Sequence, residues 1–241
     1  MNIILFDPEE IGSPLLISDP RAIHLIDTLR MRTGDDFDAG VVNGPRGKAR
    51  IVSIDEASIT FESTLDVSPL PQDPLDIIVG LPRPQSARRI LHDAAALGLR
   101  RLVFTQSARS DPNYARSTLW SSGEWRRHLI DGAQQAFDTR IPEVIPNLLL
   151  AEATARSNVG LRIAFDNYEA PTSLPALLRS RSEAPQTVTL AFGPERGWDA
   201  ADREMLRASG FALASLGHRV MRVETAIASA VAVLRAELGW T

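Results

Sequence analysis

The stretch Thr187–Leu238 reads TVTLAFGPERGWDAADREMLRASGFALASLGHRVMRVETAIASAVAVLRAEL. An apolar strand leads into a glycine-rich turn and a capped helix, and a second short strand leads into a second glycine turn and a long apolar helix. Both turns follow strands, which is where open α/β folds bind their ligands. The stretch therefore predicts an α/β fold with a ligand site at the ends of its strands.

The same alternation of strands and helices extends upstream. The strand-like runs are LDIIVGL, RLVFTQ, EVIPNL and LRIAF, and helices are predicted at residues 87–97 and at about 122–137. Strands that alternate with helices form parallel sheets through right-handed crossovers. Residues 71–241 are therefore predicted to form one parallel α/β domain.

The first 70 residues show a different pattern. FDAGVV, KARIVSI and ITFESTLDV are strand-like runs separated by the loops NGPRG and DEA. Asp19 can cap a short helix that has Pro20 in its first turn. Three prolines in residues 68–74, SPLPQDP, exclude a helix there and mark a boundary. Residues 1–70 are predicted to be a compact, barrel-like β domain with one helix.

Composition excludes several classes of site. The chain has 241 residues and no cysteine, so neither a disulfide nor a thiolate metal site can form. The four histidines lack the i, i+4 spacing of metal ligands, and we expect no metal. No apolar run approaches the ~20 residues that span a bilayer, so we expect a cytoplasmic protein without a membrane partner. Because the net charge is -4, any binding of nucleic acid must come from local patches of positive charge.

The first glycine turn, GPERG at residues 193–197, follows a buried-type strand. A helix is predicted to begin near Ala200, with Asp199 as its N-cap. The turn exposes backbone N–H groups beside the positive end of a helix dipole, where a carboxylate or an adenine edge can bind. The alternative is a purely structural turn in which glycine supplies a positive φ.

The second glycine turn, SLGHRVMRVETA, occupies residues 215–226 and precedes a helix with apolar residues at helical spacing. Arg219 and Arg222 lie where the chain passes from one element to the next. One interpretation makes both arginines solvated charges that pair with Glu224. Next to the first turn, a functional interpretation is favoured.

The two turns together closely resemble the paired C-terminal motifs of the SPOUT methyltransferases, in particular the ribosomal RNA small-subunit methyltransferase E family. That family usually reads GPEGG and then SLG-P-RILRTETA. Residues 134–144, QQAFDTRIPEV, are similar to its EQ-x-x-R-x-x-VPE segment. Near the N-terminus, LRMRTGD and NGPRG resemble the pattern of its PUA-like domain. The resemblance spans nearly the whole chain.

The resemblance implies a trefoil-knotted C-terminal SPOUT methyltransferase domain and an N-terminal PUA-like β-barrel domain that binds RNA. It implies S-adenosylmethionine as the cofactor and a homodimer as the working form. The implied reaction is methylation of uridine N3 in 16S rRNA of the small ribosomal subunit.

The resemblance also implies roles for individual residues. Arg222 is expected to stabilise a uridine anion or hold the target phosphate, and Glu195 to orient the cofactor loop or contact the substrate. The alternatives are an ion pair between Arg222 and Glu224, and a Glu195 that only complements a helix dipole. The cofactor is expected to contact Phe165, Asp166, Gly193, Glu195, Gly197, Leu216, Gly217, Val220 and Met221. RNA is expected to contact Arg30, Arg32, Arg140 and Arg219, although Arg30 and Arg32 also suit a helix C-terminus.

Several positions depart from the family pattern. Arg196 is the fourth residue of the first motif, where the family has glycine, and His218 replaces a proline in the second. The helix HDAAALGLRR has Asp93 and Ala96 where the family has lysine and glutamate. These departures keep two alternatives open. One is a catalytically weakened RNA-binding or ribosome-assembly factor of the same fold, and the other is a SPOUT methyltransferase acting on another RNA base.

Overall fold

The computed structural model of this chain describes residues 3–157 and 160–240. They divide into two compact units. The first contains the described residues up to Pro71 together with Ile130–Ile141, and the second contains Gln72–Leu129 together with the described residues from Pro142 onward. The sequence did not indicate that Ile130–Ile141 would group with the N-terminal unit. Residues 1, 2 and 241, at the ends of the predicted domains, lie outside the described residues.

The first unit is built on a five-stranded sheet. Its strands are β1 (Ile4–Phe6), β2 (Leu15–Leu16), β3 (Asp36–Val41), β4 (Arg46–Ile54) and β5 (Ser58–Val67). Their order is β1-β3-β4-β5-β2, with β1 parallel to β3 and the other pairs antiparallel. Two register irregularities in the β4–β5 pair bend the sheet around a core that includes Phe6, Phe37 and Phe61. The predicted barrel-like β fold is confirmed.

A short helix, α1 (Pro20–Ile23), continues into a π-helical turn at His24–Thr28. The Asp19 carboxylate accepts the backbone N–H of Arg21 at 2.8 Å, and Pro20 stands in the first turn, as predicted. Ala22 and Leu25 are fully buried against the sheet core. The capped start therefore fixes which face of the helix meets the sheet.

Arg21 ties the start of α1 to β1. Its guanidinium donates to both carboxylate oxygens of Glu10 at 2.8 Å, to Asp19 at 2.7 Å, and to the Leu5 carbonyl at 3.1 Å. It also lies 5.0 Å from the centre of the Phe6 ring. The hydrogen bonds from Arg21 hold the pKa values of Glu10 and Asp19 below their ordinary values, against the effect of burial.

The second unit contains a six-stranded parallel sheet. Its strands are β6 (Leu75–Gly80), β7 (Arg101–Gln106), β8 (Glu143–Leu149), β9 (Leu161–Phe165), β10 (Val188–Phe192) and β11 (Ala212–Ala214). Their order is β11-β9-β10-β6-β7-β8, and every pair is parallel. Every residue of β6 and β10 is buried, as expected for strands covered on both faces. The predicted parallel α/β architecture is confirmed.

Helices follow these strands along the chain. They are α2 (Pro84–Ala96), α3 (Thr118–Ser121), α4 (Glu124–Gln135), α5 (Leu150–Ala155), α6 (Leu174–Arg179), α7 (Ala200–Ala208) and α8 (Val223–Leu238), with a 3-10 turn at Pro112–Arg116. α2 begins earlier than predicted because Pro84 suits the first turn of a helix. α4 ends earlier than predicted because Phe137 adopts a φ of 57°. The predicted N-cap of α7, Asp199, is confirmed by its 2.7 Å bond from the Asp202 N–H.

Replacing Arg21 with methionine should lower the free energy of unfolding by about 2 kcal/mol near pH 7, because a half-buried ion-pair network is lost. The folded-state pKa values of Glu10 and Asp19 are depressed from 4.5 and 3.8. Their contribution is therefore present above those values and is lost as the pH falls through the lower, folded-state values. Urea unfolding at several pH values between 7 and 3 should show the difference between wild type and R21M shrinking below about pH 4.

The matched control is Arg50→Met. Arg50 also pairs with a carboxylate, Asp36, but the pair is exposed, so its loss should leave stability unchanged. A difference in unfolding free energy between wild type and R21M that does not vary with pH would contradict a stabilising role of the Arg21 ion pairs. An equal loss of stability in R50M would contradict it as well.

Candidate functional site

One cavity of about 680 Å³ lies at the carboxyl ends of four neighbouring strands, β11, β9, β10 and β6. The volume is in the range of pockets that hold cofactor-sized ligands. It is lined by the N-terminal part of α2, by residues 165–168 and 192–197, and by residues between 216 and 226. Each of these segments follows one of the four strands, and such strand ends are where parallel sheets bind ligands.

The cavity brings together most of the predicted site residues of the second unit. Those in its lining are Phe165, Asp166, Gly193, Glu195, Gly197, Leu216, Arg219, Val220, Met221 and Arg222. Gly217 belongs to the same turn and has a φ of 118°, but it is outside the described lining. The predicted RNA contacts Arg30, Arg32 and Arg140 belong to the first unit.

The first glycine turn is tightly closed. The Gly197 N–H donates to the Pro194 carbonyl at 2.7 Å, and Gly197 has a φ of 69°. A Cβ on Gly193 would lie 2.9 Å from backbone atoms of both Gly197 and Trp198, which excludes any side chain there. Arg196, in contrast, does not have a positive φ. The arginine thus occupies a position that does not require glycine, and the turn keeps its shape.

Glu195 links the first turn to α2. Its Oε1 accepts the backbone N–H of Arg83 and the hydroxyl of Ser86, both at 3.0 Å, and lies 3.6 Å from the Arg83 Nε. Arg83 is the N-cap of α2 and has no side-chain cap of its own. The carboxylate therefore complements the positive end of the α2 dipole. The sequence suggested such a dipole role without indicating that the helix would be α2.

Two aromatic rings provide an apolar wall. Phe165 and Phe192 are paired residues at the ends of β9 and β10. Their ring centroids are 4.7 Å apart and their planes differ by 21°. Together with Leu216 and Met221 in the same lining, they offer a surface on which a flat ring can pack.

The second turn offers unpaired backbone donors. Within the described residues, none of the backbone N–H groups from Leu216 to Arg222 donates a hydrogen bond. Arg222 is the N-cap of α8, so the free N–H groups of the first turn of α8 follow directly. Consecutive N–H groups beside an apolar wall suit a ligand that combines hydrogen-bond acceptors with an apolar ring.

The second turn also carries two unpaired arginines. Glu224 accepts a hydrogen bond from Arg89 of α2 at 3.2 Å. In the part of the chain that the structure describes, the exposed side chains of Arg219 and Arg222 make neither a hydrogen bond nor an ion pair. The alternative interpretation, an ion pair of these arginines with Glu224, is therefore wrong.

The cavity lining has more cationic than anionic side chains. Its arginines are Arg83, Arg89, Arg196, Arg219 and Arg222, and its carboxylates are Asp166, Glu195 and Glu224. Each carboxylate is within ion-pair distance of an arginine. Among the described residues, the side chains of Arg196, Arg219 and Arg222 are left without partners. This local excess of positive charge suits a polyanionic ligand, in a chain whose net charge is -4.

Asp166 shapes the turn after β9. Its Oδ1 accepts the N–H groups of Tyr168 and Glu169 at 2.8 and 2.7 Å, and its Oδ2 accepts the Arg203 Nε at 2.8 Å. Burial acts to raise the pKa of Asp166, but the hydrogen bonds from Arg203 and the two backbone groups together lower it. Both carboxylate oxygens are used within the fold, so Asp166 forms the cavity wall rather than presenting a free carboxylate.

Several cavity residues were not predicted from the sequence. Among them are the N-cap of α2, two residues in its N-terminal part and one residue after β9: Arg83, Ser86, Arg89 and Tyr168. A signal for the first three was present, since PRPQSARR directly follows the strand LDIIVGL, and a proline at a helix start marks a strand-to-helix junction. Such a junction in a parallel sheet contributes to the ligand-binding edge.

Residues 3–157 and 160–240 contain no group of three or more His, Asp or Glu residues placed to hold a metal ion. Over the same residues, no helix combines the length and the apolar character needed to cross a membrane.

The chain is similar to known RNA methyltransferases. The family described as RNA methyltransferase domain matches residues 68–235. The ribosomal RNA small subunit methyltransferase E of Treponema pallidum is 30% identical over 98% of this chain and 91% of its own length. The ribosomal RNA small subunit methyltransferase E 1 of Borreliella burgdorferi is 24% identical over 99% of both chains.

A solved structure shows the same fold. The ribosomal RNA small subunit methyltransferase E from Neisseria gonorrhoeae, bound to S-adenosyl methionine, matches with a TM-score of 0.76 and 19% identity over 100% of both chains. The span matched by the family, residues 68–235, contains both glycine turns and every segment that lines the cavity. By sequence and by fold, this chain belongs to the ribosomal RNA small subunit methyltransferase E family of RNA methyltransferases.

Proposed function

We propose that this protein transfers a methyl group from S-adenosylmethionine to N3 of a uridine in 16S rRNA of the small ribosomal subunit. The observation that carries the proposal is a cavity in which unpaired backbone donors and unpartnered arginines meet among the described residues. The named activity of the Treponema pallidum relative and the ligand of the Neisseria gonorrhoeae structure support the choice of substrates. Such an enzyme would work in the cytoplasm, where ribosomes assemble.

The cavity residues fit the cofactor. The side chains of Leu216, Val220 and Met221 would contact its adenine, while unpaired N–H groups of the turn would donate to the acceptors of the ring. Val220 is 78% exposed, so a bound apolar ring would cover a side chain that otherwise faces water. Gly193 and Gly197 keep the first turn free of side chains at the points of closest approach. When bound, S-adenosylmethionine supplies an electrophilic methyl group on a positively charged sulfur.

Arg222 is the proposed catalytic residue. Uracil N3 carries a proton at neutral pH, so the reaction requires loss of that proton and stabilisation of the negative charge left on the ring. The Arg222 guanidinium is a cation without a partner among the described residues. It also stands at the N-cap of α8, where the helix dipole favours negative charge. Arg219 is proposed to contact a phosphate of the RNA.

The first unit is proposed to be the PUA-like RNA-binding domain. Arg30 and Arg32 are exposed, and their side chains have no partner among the described residues. The turn that carries them is held by a 2.7 Å hydrogen bond from the Arg32 N–H to Asp35. Arg140 is half-buried, and it is proposed to contact RNA as well. The trefoil knot and the homodimer that the family resemblance implies are part of the same proposal.

Deleting the gene for this protein should remove 3-methyluridine from 16S rRNA, and a plasmid copy should restore it. Mass spectrometry of nucleosides from purified 16S rRNA measures this directly. If the deletion strain keeps 3-methyluridine although the purified protein binds S-adenosylmethionine, the assembly-factor alternative is favoured. Loss of a different methylated nucleoside would assign the protein to another RNA base.

Arg222→Ala should lower the rate of methyl transfer about a hundredfold or more, because charge on the uracil ring is no longer stabilised. The calorimetric Kd for S-adenosylmethionine should stay within about twofold, since the turn contributes backbone rather than side-chain donors. Arg181→Ala, which removes another exposed arginine of the second unit outside the cavity lining, is the control and should keep full activity. A parallel loss of cofactor binding in R222A would contradict a role confined to the reaction step.

Glu195→Ala should weaken the Kd for S-adenosylmethionine about tenfold, because the first turn loses its hydrogen bonds to Arg83 and Ser86. Glu195→Gln keeps an acceptor at the same place and should fall between wild type and E195A. Isothermal calorimetry of the three proteins provides the comparison. If both variants bind the cofactor like wild type but lose turnover, Glu195 acts on the reaction and not on the turn.

A further inference from the structure

Tyr168 is an exposed aromatic residue in the cavity lining to which the proposed function gives no role. Tyr168 is 77% exposed, and its hydroxyl makes no hydrogen bond within the described residues. An exposed aromatic side chain is not informative by itself. What distinguishes Tyr168 is how firmly its backbone and one side of its ring are held.

The backbone around Tyr168 is fixed by a buried carboxylate. Asp166 is 5% exposed, and its Oδ1 accepts the N–H groups of both Tyr168 and Glu169. The backbone of Tyr168 is therefore held by the Asp166 carboxylate, independently of any contact made by the tyrosine ring. Such a turn places an aromatic ring at a defined position before any ligand arrives, which lowers the entropic cost of binding.

The ring is supported from one side by a buried cation. The guanidinium carbon of Arg203 lies 5.6 Å from the centre of the Tyr168 ring. Arg203 has a side chain that is 8% exposed, and it is held by Asp166 at 2.8 Å and by Glu169 at 3.2 Å. Because the supporting cation is itself fixed, the ring is a preformed flat surface with exposed area left for a second partner.

The carboxylates next to Tyr168 are not free to bind the edge of a ligand. The Asp166 carboxylate is fully used, and the Glu169 carboxylate is bound to Arg203 and Arg207. Among the described residues, the Tyr168 hydroxyl and the Asn167 side chain make no hydrogen bond and remain free. The exposed aromatic face itself recognises the face of another ring. The second turn, in contrast, has the free N–H groups that an adenine edge needs.

We propose that the exposed face of Tyr168 stacks on a nucleobase of the RNA substrate. The inference rests on the proposed function, since it concerns RNA bound at the same cavity. The unpartnered Arg196, Arg219 and Arg222 in that cavity supply positive charge for the adjoining phosphates. Stacking on a fixed aromatic residue, with phosphates held by arginines, is how single-stranded nucleic acid is bound without a requirement for one base.

The test compares two labelled probes on the full-length protein without cofactor. One is decauridylate, and the other is a ribose-phosphate decamer of the same length and charge that lacks all bases. Fluorescence anisotropy at fixed salt should show that wild type binds decauridylate about ten- to a hundredfold more tightly than the abasic decamer. Tyr168→Leu should lose most of this preference while binding the abasic decamer like wild type. Tyr168→Phe and Tyr168→Trp should keep the preference.

Several results would overturn the inference. One is a wild-type protein without a preference for the probe with bases. Another is a Y168L variant that keeps the preference. A third is a Y168W variant that loses it although its ring can still stack. An unchanged preference in Y168L together with a weaker calorimetric Kd for S-adenosylmethionine would assign Tyr168 to the cofactor instead. The proposed function can fail separately from this inference. If the protein does not methylate 16S rRNA but prefers the probe with bases, and this preference depends on Tyr168, the stacking role still holds.

Discussion

The closeness of Gly193 to the backbone of Gly197 and Trp198 is the constraint on which the candidate site depends. No side chain fits between these backbone segments, so the turn after β10 closes directly onto the strand end. A Cβ on Gly80, at the end of β6, would likewise lie 2.4 Å from Pro194. Trp198, which is fully buried, anchors the chain immediately after the turn. In this tightly held turn, Glu195 lies at the start of α2.

Much of the fold could be predicted because local signals agreed with one another. The buried runs of β6 and β10, the cap at Asp199 and the loops between β3, β4 and β5 each follow from a few neighbouring residues. The end of α4 could not be predicted, because it depends on a positive φ at Phe137, a residue type that rarely adopts one. The grouping of Ile130–Ile141 with the N-terminal unit has no local signal either.

For the site, the sequence predicted the two turns but not the choice of ionic partners. Glu224 is close in the chain to Arg222, yet it binds Arg89, which lies far from it in sequence. The pairing of Glu224 with Arg89 depends on the packing of α2 against α8. This packing cannot be inferred from residue spacing along the chain. The same packing leaves Arg222 unpaired, and it explains why a chain of net charge -4 can have a positively charged cavity. Net charge therefore says little about the ligand of an individual site.

The cavity is assembled from segments that follow β6, β9, β10 and β11 and ends with the first residues of α8. A ribosome synthesises the chain from the N-terminus, so the second turn and the start of α8 emerge after every other segment that lines the cavity. Until then the cavity lacks one of its walls, although the six strands of the parallel sheet are already free to fold. A chain that stops before residue 215 would therefore lack Arg219 and Arg222, two of the three arginines in the cavity lining whose side chains have no partner among the described residues.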